Sequence, residues 1–197
     1  MNDKERTFYY YENHSEEFVA AANSADMRRD YERFLRYVPQ SGSIVDIGCG
    51  SGRDLKYFRE AGFRASGVDA SEKMCKVASE FSGCPVLFCD ALSWSPDEKY
   101  DAIWANGSLL HLYKDEIITF LKTKSAYLKK GGILYFSMKA GIAEGFDEKG
   151  RYFTPFSESI VESAVADGKL KVQERWTESD SLGRKGYHWE AIILRVN

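Results

Sequence analysis

The apolar positions of the chain follow two spacings, and the change from one to the other divides it. Over residues 26–38, Met27, Tyr31, Phe34, Leu35 and Val38 recur every three or four positions until Pro39, which predicts a helix with one buried face. Residues 8–22 open with Phe8, Tyr9, Tyr10 and Tyr11 and run into Ser15-Glu16-Glu17-Phe18, a possible N-cap followed by acids that suit a helix start. From Ile44 onward short apolar runs alternate with amphipathic stretches. Strands are predicted at 44–47, 64–69, 85–89, 100–105 and 132–139. Between them lie a helix from Arg53 to its stop at Gly62, one capped by Ser71-Glu72 that turns Met74, Cys75, Ala78 and Phe81 inward, and one over 114–130. Asp115-Glu116 begin that last helix, Lys129-Lys130 end it, and Gly131-Gly132 stop it. A further helix over 157–167 precedes runs at 170–178 and 186–196, which read as an antiparallel hairpin. Regular alternation of strand and helix predicts an α/β fold with a parallel sheet and right-handed crossovers.

The first strand ends in Asp46-Ile47-Gly48-Cys49-Gly50-Ser51-Gly52 and passes directly into a helix. Gly48, Gly50 and Gly52 permit positive φ and close backbone approach, and the helix start offers free N–H groups, so a nucleotide-like ligand belongs here. A dinucleotide fingerprint, G-x-G-x-x-G, would need glycine at position 53, where Arg53 stands. The observed D-x-G-x-G-x-G resembles the first motif of the class I S-adenosylmethionine (SAM)-dependent methyltransferases. The order of elements from about Ser41 resembles the same family. The resemblance implies a doubly wound seven-stranded sheet of order 3-2-1-4-5-7-6 with strand 7 antiparallel, helices on both faces, and a helical N-terminal cap. Residues 1–40 would form that cap, 41–140 the SAM-binding core, and 141–197 a substrate-side loop, the last helix and the hairpin, all within one domain.

The same resemblance implies SAM as cofactor and a set of residues to hold it. Asp46, Gly48, Cys49, Gly50, Gly52 and Arg53 would surround it at the turn, with Asp46 near its ammonium end. Asp69 and Ala70 follow strand two, Asp69 taking the ribose hydroxyls since Ser71 suffices to cap the next helix. Asp90, accepting from the adenine amino group, and Ala91 follow strand three, and Asn106 follows strand four. Tyr11 would close over the sulfonium, and Tyr10 would face the acceptor; the alternative for these tyrosines is an aromatic staple holding the first helix.

The segment Asn106-Gly-Ser-Leu-Leu-His111 lies at the carboxyl edge of the sheet, where ligands of open α/β folds bind. It lacks the Asn/Asp-Pro-Pro-aromatic sequence of amino-methylating DNA enzymes. His111 reads equally as a general base, which would titrate at about pH 6–7, as a polar wall of the acceptor site, or as a helix cap or hydrogen-bonded core residue. Arg151 and Tyr152 are substrate-side candidates on the loop after strand five, Arg151 to pair a carboxylate or phosphate, with plain surface solvation as its alternative.

Composition narrows the partners. A formal net charge of −3 gives no chain-wide attraction to nucleic acid, which disfavours polynucleotide acceptors and leaves a small molecule. The four cysteines form no C-x-x-C pair and read as reduced core residues, and His14, His111 and His188 share no ligand spacing, so no metal is expected. The absence of an apolar leader or an 18-residue apolar run points to the cytoplasm and away from a membrane, with the chain a monomer or homodimer. The expected activity is SAM-dependent methyl transfer by in-line displacement. The rivals are an NAD(P)-dependent oxidoreductase of Rossmann type and a non-enzymatic SAM sensor or scaffold.

Overall fold

The computed structural model describes residues 3–197; the side chains of Lys4, Ser15 and Glu16 lie outside what is described, and with them the capping role read for Ser15. Three helices precede the sheet: α1 (Asp3–Asn13), α2 (Ser15–Ser24) and α3 (Arg28–Leu35). The 8–22 stretch is therefore two helices, divided at His14. The strands are β1 (Ser43–Ile47), β2 (Arg64–Asp69), β3 (Val86–Phe88), β4 (Tyr100–Asn106), β5 (Leu128–Ala140), β8 (Leu170–Ser179) and β9 (His188–Val196), and they form one sheet of order 3-2-1-4-5-9-8. A short ribbon, β6 (Gly145–Phe146) with β7 (Tyr152–Phe153), stands apart from it. With the ribbon set aside, this is the expected order. β9 runs antiparallel to both β5 and β8.

Alternation along the strands sorts the core onto two faces. Val45, Ile47, Ile103, Ala105, Leu134 and Phe136 pack with Ile117, Phe120 and Leu121 of α6 (Lys114–Lys124) and Ile160 of α7 (Glu158–Val165). Their neighbours Ile44, Ala102, Trp104, Ile133 and Tyr135 pack with Tyr31, Phe34 and Val38 and with Phe58 of α4 (Arg53–Glu60). Helix α5 (Glu72–Ser82) is capped by Ser71, whose hydroxyl accepts from the Met74 N–H at 3.0 Å.

Two local expectations are corrected. Phe81 faces solvent rather than the core, 41% exposed, with the Lys56 ammonium over its ring. The helix expected over 114–130 ends at Lys124, and β5 begins at Leu128 instead of residue 132. Leu128 is drawn into the sheet by pairing with Tyr100, and Lys129 is held by Asp101 at 2.7 Å, which outweighs the helical pattern of the charges.

Gly52 shows how tightly the turn is packed. Its φ is +76°, and a Cβ there would lie 2.7 Å from the Ala78 carbonyl oxygen in α5. Gly52→Ala should therefore lower unfolding free energy by about 2–5 kcal/mol, strain and overpacking together. Urea denaturation checks this; a loss below about 0.5 kcal/mol, the scatter of a neutral surface change, would refute the packing argument.

Candidate functional site

The carboxyl edge of β1, β2, β4 and β5 opens into two cavities roofed by α1 and α2. The smaller, of about 140 Å³, is bounded by Gly48 and Gly50, by Asp69, Ala70 and Ser71, by Asp90 and Ala91, and by the turn Asn106–Leu112, with Tyr11 and Phe18 above. The larger, of about 470 Å³, lies against Tyr135, Ser137 and Lys139 of β5 and extends under the β8–β9 loop, with Tyr10 and Arg151 in its wall. Tyr11, Phe18, Asn106, Gly107 and His111 border both, so the two spaces adjoin there.

In the smaller cavity, the carboxylate of Asp69 accepts from the Gly50 N–H through Oδ2 and from the Ser71 N–H through Oδ1, both at 2.9 Å. Each oxygen retains a lone pair, so the group is aimed and still able to accept from a ligand. Gly50 holds φ +52° and lies directly beneath Phe18, where an added Cβ would meet the ring at 3.1 Å. Asp90 uses one oxygen to close its own turn, accepting from the N–H groups of Leu92 and Ser93. Its turn role and its place in the cavity wall therefore coexist.

Four residues expected around the cofactor do not reach the wall. Arg53 turns away, donating to the buried carboxylate of Asp54 at 2.6 Å and to the Ala22 carbonyl at 2.8 Å. Gly52 serves the contact with α5. Cys49 is buried against Leu55, Ala78 and Cys84, with its thiol pushed well up by burial. Asp46 lies beneath the turn, 2% exposed, with its Oδ2 lacking any hydrogen-bond partner. Burial and the neighbouring Asp54 charge push its carboxyl well above the usual range, so it is a buried acid in want of a cation.

At the junction, His111 sits on a single 3₁₀ turn after β4. Its Nδ1 is 2.7 Å from the Tyr152 carbonyl oxygen, which can only accept, so Nδ1 carries the proton. Nε2 is then the acceptor for the Tyr11 hydroxyl, 2.9 Å away. Burial, with Arg151 and Lys139 nearby, pushes the imidazole down to about 4. That corrects the expectation of titration near 6–7: the ring is neutral across the physiological range. Tyr152 is corrected too, since it contributes its backbone carbonyl while its hydroxyl turns to Glu144. Tyr11 and Tyr10 are packed edge to face, and Tyr11 also meets Phe18 and His111, an aromatic cluster that staples α1 to the sheet edge.

The larger cavity holds groups that the sequence reading did not single out. Asp30 of α3 accepts from the Trp176 indole and the Tyr135 hydroxyl, and burial raises its carboxyl to about 6. Asp180 organises the β8–β9 loop, accepting from Arg184, Tyr187 and Trp189. Arg151, which the sequence did single out, lines the wall with its guanidinium donating twice to Asp147 Oδ2. Lys139 was predicted as the end of strand five, and the rule that ligands bind at the carboxyl edge is the signal that points to it. Among the described residues, no group of three or more His, Cys, Asp or Glu is disposed to hold a metal, and no helix is long and apolar enough to cross a membrane.

The residues that line the smaller cavity fit a nucleoside: a carboxylate aimed by two backbone N–H groups and a glycine cradle at positive φ. Comparison with known proteins bears on that fit. Residues 19–160 match the family described as "Methyltransferase domain". The chain is 30% identical over 131 residues to the putative methyltransferase YqeM of Bacillus subtilis, covering 60% of this chain and 53% of that protein. It is 33% identical over 91 residues to trans-aconitate 2-methyltransferase of Shigella flexneri, covering 44% and 36% respectively. It is also 29% identical over 155 residues to the probable tRNA methyltransferase 9B of Bos taurus, covering 78% and 31%. The chain thus spans about a third to a half of the length of these curated relatives. In fold it is similar to the Burkholderia thailandensis 1,6-didemethyltoxoflavin-N1-methyltransferase, solved with its substrate and S-adenosylhomocysteine, at a TM-score of 0.77 and 20% identity over 98% of this chain and 88% of that one. By family match the chain belongs to the methyltransferase domain family, and its sheet order and glycine motif agree with that membership.

Proposed function

We propose that the chain transfers a methyl group from SAM, bound in the smaller cavity, to a small-molecule acceptor bound in the larger one. The observation that carries this reading is the junction of the two cavities at Tyr11, Phe18, Asn106 and His111. When bound, SAM supplies an electrophilic methyl group on a sulfonium centre. Asp69 would accept from its ribose hydroxyls, Asp90 and the Ala91 N–H would meet the adenine, and the aromatic faces of Tyr11 and Phe18 favour positive charge. The protein's contribution is then largely orientation, for which alignment of two reactants supplies on the order of 7–11 kcal/mol.

A base is needed only for an acceptor that arrives protonated. His111 suits that role because the Tyr152 carbonyl fixes its tautomer and places Nε2 at the junction, where an acceptor O–H or N–H would take the place of the Tyr11 hydroxyl that Nε2 accepts from. Arg151 belongs to the acceptor side. A cavity of about 470 Å³ in contact with the donor site favours an enzyme over a sensor. The antiparallel β9 and Arg53 in place of the third fingerprint glycine weigh against the oxidoreductase reading. That one relative is named for trans-aconitate and another for tRNA makes the acceptor a matter for a labelled-methyl screen over metabolites, with trans-aconitate and tRNA included.

Asp69→Ala should weaken SAM binding at least about tenfold, through loss of charge-assisted hydrogen bonds. Calorimetry on protein of native circular dichroism reads this, and an unchanged affinity removes Asp69 from the site. With an acceptor in hand, His111→Ala should lower kcat by roughly 10²–10⁴ while SAM affinity stays within about twofold. Since the imidazole is already neutral above about 4, kcat of the parent should show no His111-dependent rise between about pH 6 and 8. An intact kcat in folded His111→Ala would rule out the base.

A further inference from the structure

The charged side chains around the larger cavity are mostly spoken for. Arg29 is paired with Glu178, Lys149 with Glu17, Arg151 with Asp147 and Arg184 with Asp180. Lys139 is the exception: among the described residues no carboxylate lies within ion-pair distance of its Nζ and no hydrogen bond engages it. Its ammonium is instead enclosed by rings, 4.4 Å from the centroid of Phe153, 4.6 Å from Tyr187 and 5.5 Å from Trp189. It stands at the carboxyl end of β5, opposite Trp189 in the sheet register, and borders the cavity. A half-buried ammonium held only by aromatic faces has given up water without gaining an anion.

The opposite end of the cavity carries the opposite sign. Asp30 lies against Tyr135, four residues earlier on β5 and so about 13 Å along the strand. No cation pairs with it among the described residues. The spare charges are therefore one positive near the junction and one negative far from it.

From this arrangement we infer that the acceptor cavity takes a substrate bearing a carboxylate, which docks on the Lys139 ammonium against Phe153, Tyr187 and Trp189, with Asp30 repelling it from the far end. A carboxylate carries the single charge that Lys139 leaves uncompensated. A phosphate dianion would bring a second charge beside Asp147 and Asp180, whose guanidinium partners are already engaged. This inference rests on reading the larger cavity as the acceptor site.

Burial and the nearby Arg184 and Arg151 lower the Lys139 ammonium to about 8, against the opposing pull of Asp180 and Asp147. The other titratable groups facing it are Tyr187 and His111. Carboxylate affinity should then be full below about 8 and fall above it, as the ammonium loses its proton.

The test is an NMR titration of the protein, free and loaded with S-adenosylhomocysteine, with 3-phenylpropionate, its neutral amide and inorganic phosphate as probes. We expect 3-phenylpropionate to bind, the amide and phosphate to bind at least about tenfold more weakly, and Lys139→Met to lose the carboxylate by a similar factor. Lys139→Arg should retain binding and carry it past about pH 9, because a guanidinium stays protonated there. S-adenosylhomocysteine affinity should be the same in all three proteins. If the parent fails to bind S-adenosylhomocysteine yet binds the carboxylate through Lys139, the methyltransferase reading falls and the carboxylate site stands. Equal binding of acid and amide, tight phosphate binding, absence of carboxylate binding to the parent, or full affinity in folded Lys139→Met would each overturn the inference.

Discussion

The buried carboxylate of Asp54 ties the ligand-binding edge together. It lies in the first turn of α4 and accepts from the Tyr31 hydroxyl at 2.5 Å, the Arg53 Nε at 2.6 Å and the Trp104 indole at 2.8 Å. Those donors come from α3, α4 and β4, so one anion joins the cap, the glycine turn and the strand that ends at Asn106. Arg53 and the aimed donors hold its carboxyl below the usual range despite burial. Loss of such a paired buried charge costs roughly 3–5 kcal/mol. It also explains Arg53, which is committed to Asp54 and to the Ala22 carbonyl and thereby docks α2 over the glycine turn.

From that anchor the chemistry is set out along the sheet edge. Asp69, held by the Gly50 and Ser71 N–H groups, borders the smaller cavity, while Lys139 and Arg151 border the larger one. Tyr11 and His111 stand between them, linked by a hydrogen bond that reaches 100 residues across the sequence. The N-terminal helices are thus part of the wall of both cavities. Glu12 strengthens this, accepting from the Ser71 hydroxyl at 2.6 Å and so joining α1 to the cap of α5.

Much of the fold was legible because its signals are local. Periodicity located the strands, and Ser71 and the glycines marked the turns where the structure has them. The misread stretch, 114–130, carried helical charge signals that Tyr100 and Asp101 overrode from another strand, which no local pattern records. Phe81 shows the same limit, since helical spacing names a face without saying how far it is covered. In the site, the family resemblance named positions after strand ends, and Asp69, Ala70, Asp90, Ala91 and Asn106 all border the smaller cavity. The roles of Arg53, Cys49 and Tyr152 were not foreseen, because each depends on a partner distant in the sequence or on a backbone carbonyl in place of a side chain. Asp30, Asp180 and Lys139 were silent for a related reason: their meaning lies in which neighbours are paired and which are left over.

The central claim is that donor and acceptor occupy adjoining cavities that meet at Tyr11 and His111. A crystal structure of the complex with S-adenosylhomocysteine measures this directly. The account predicts adenosine between Asp69 and Asp90 and the sulfur at the Tyr11–His111 junction, open to the larger cavity. A nucleoside lodged in the larger cavity, or a sulfur walled off from it, would contradict the account.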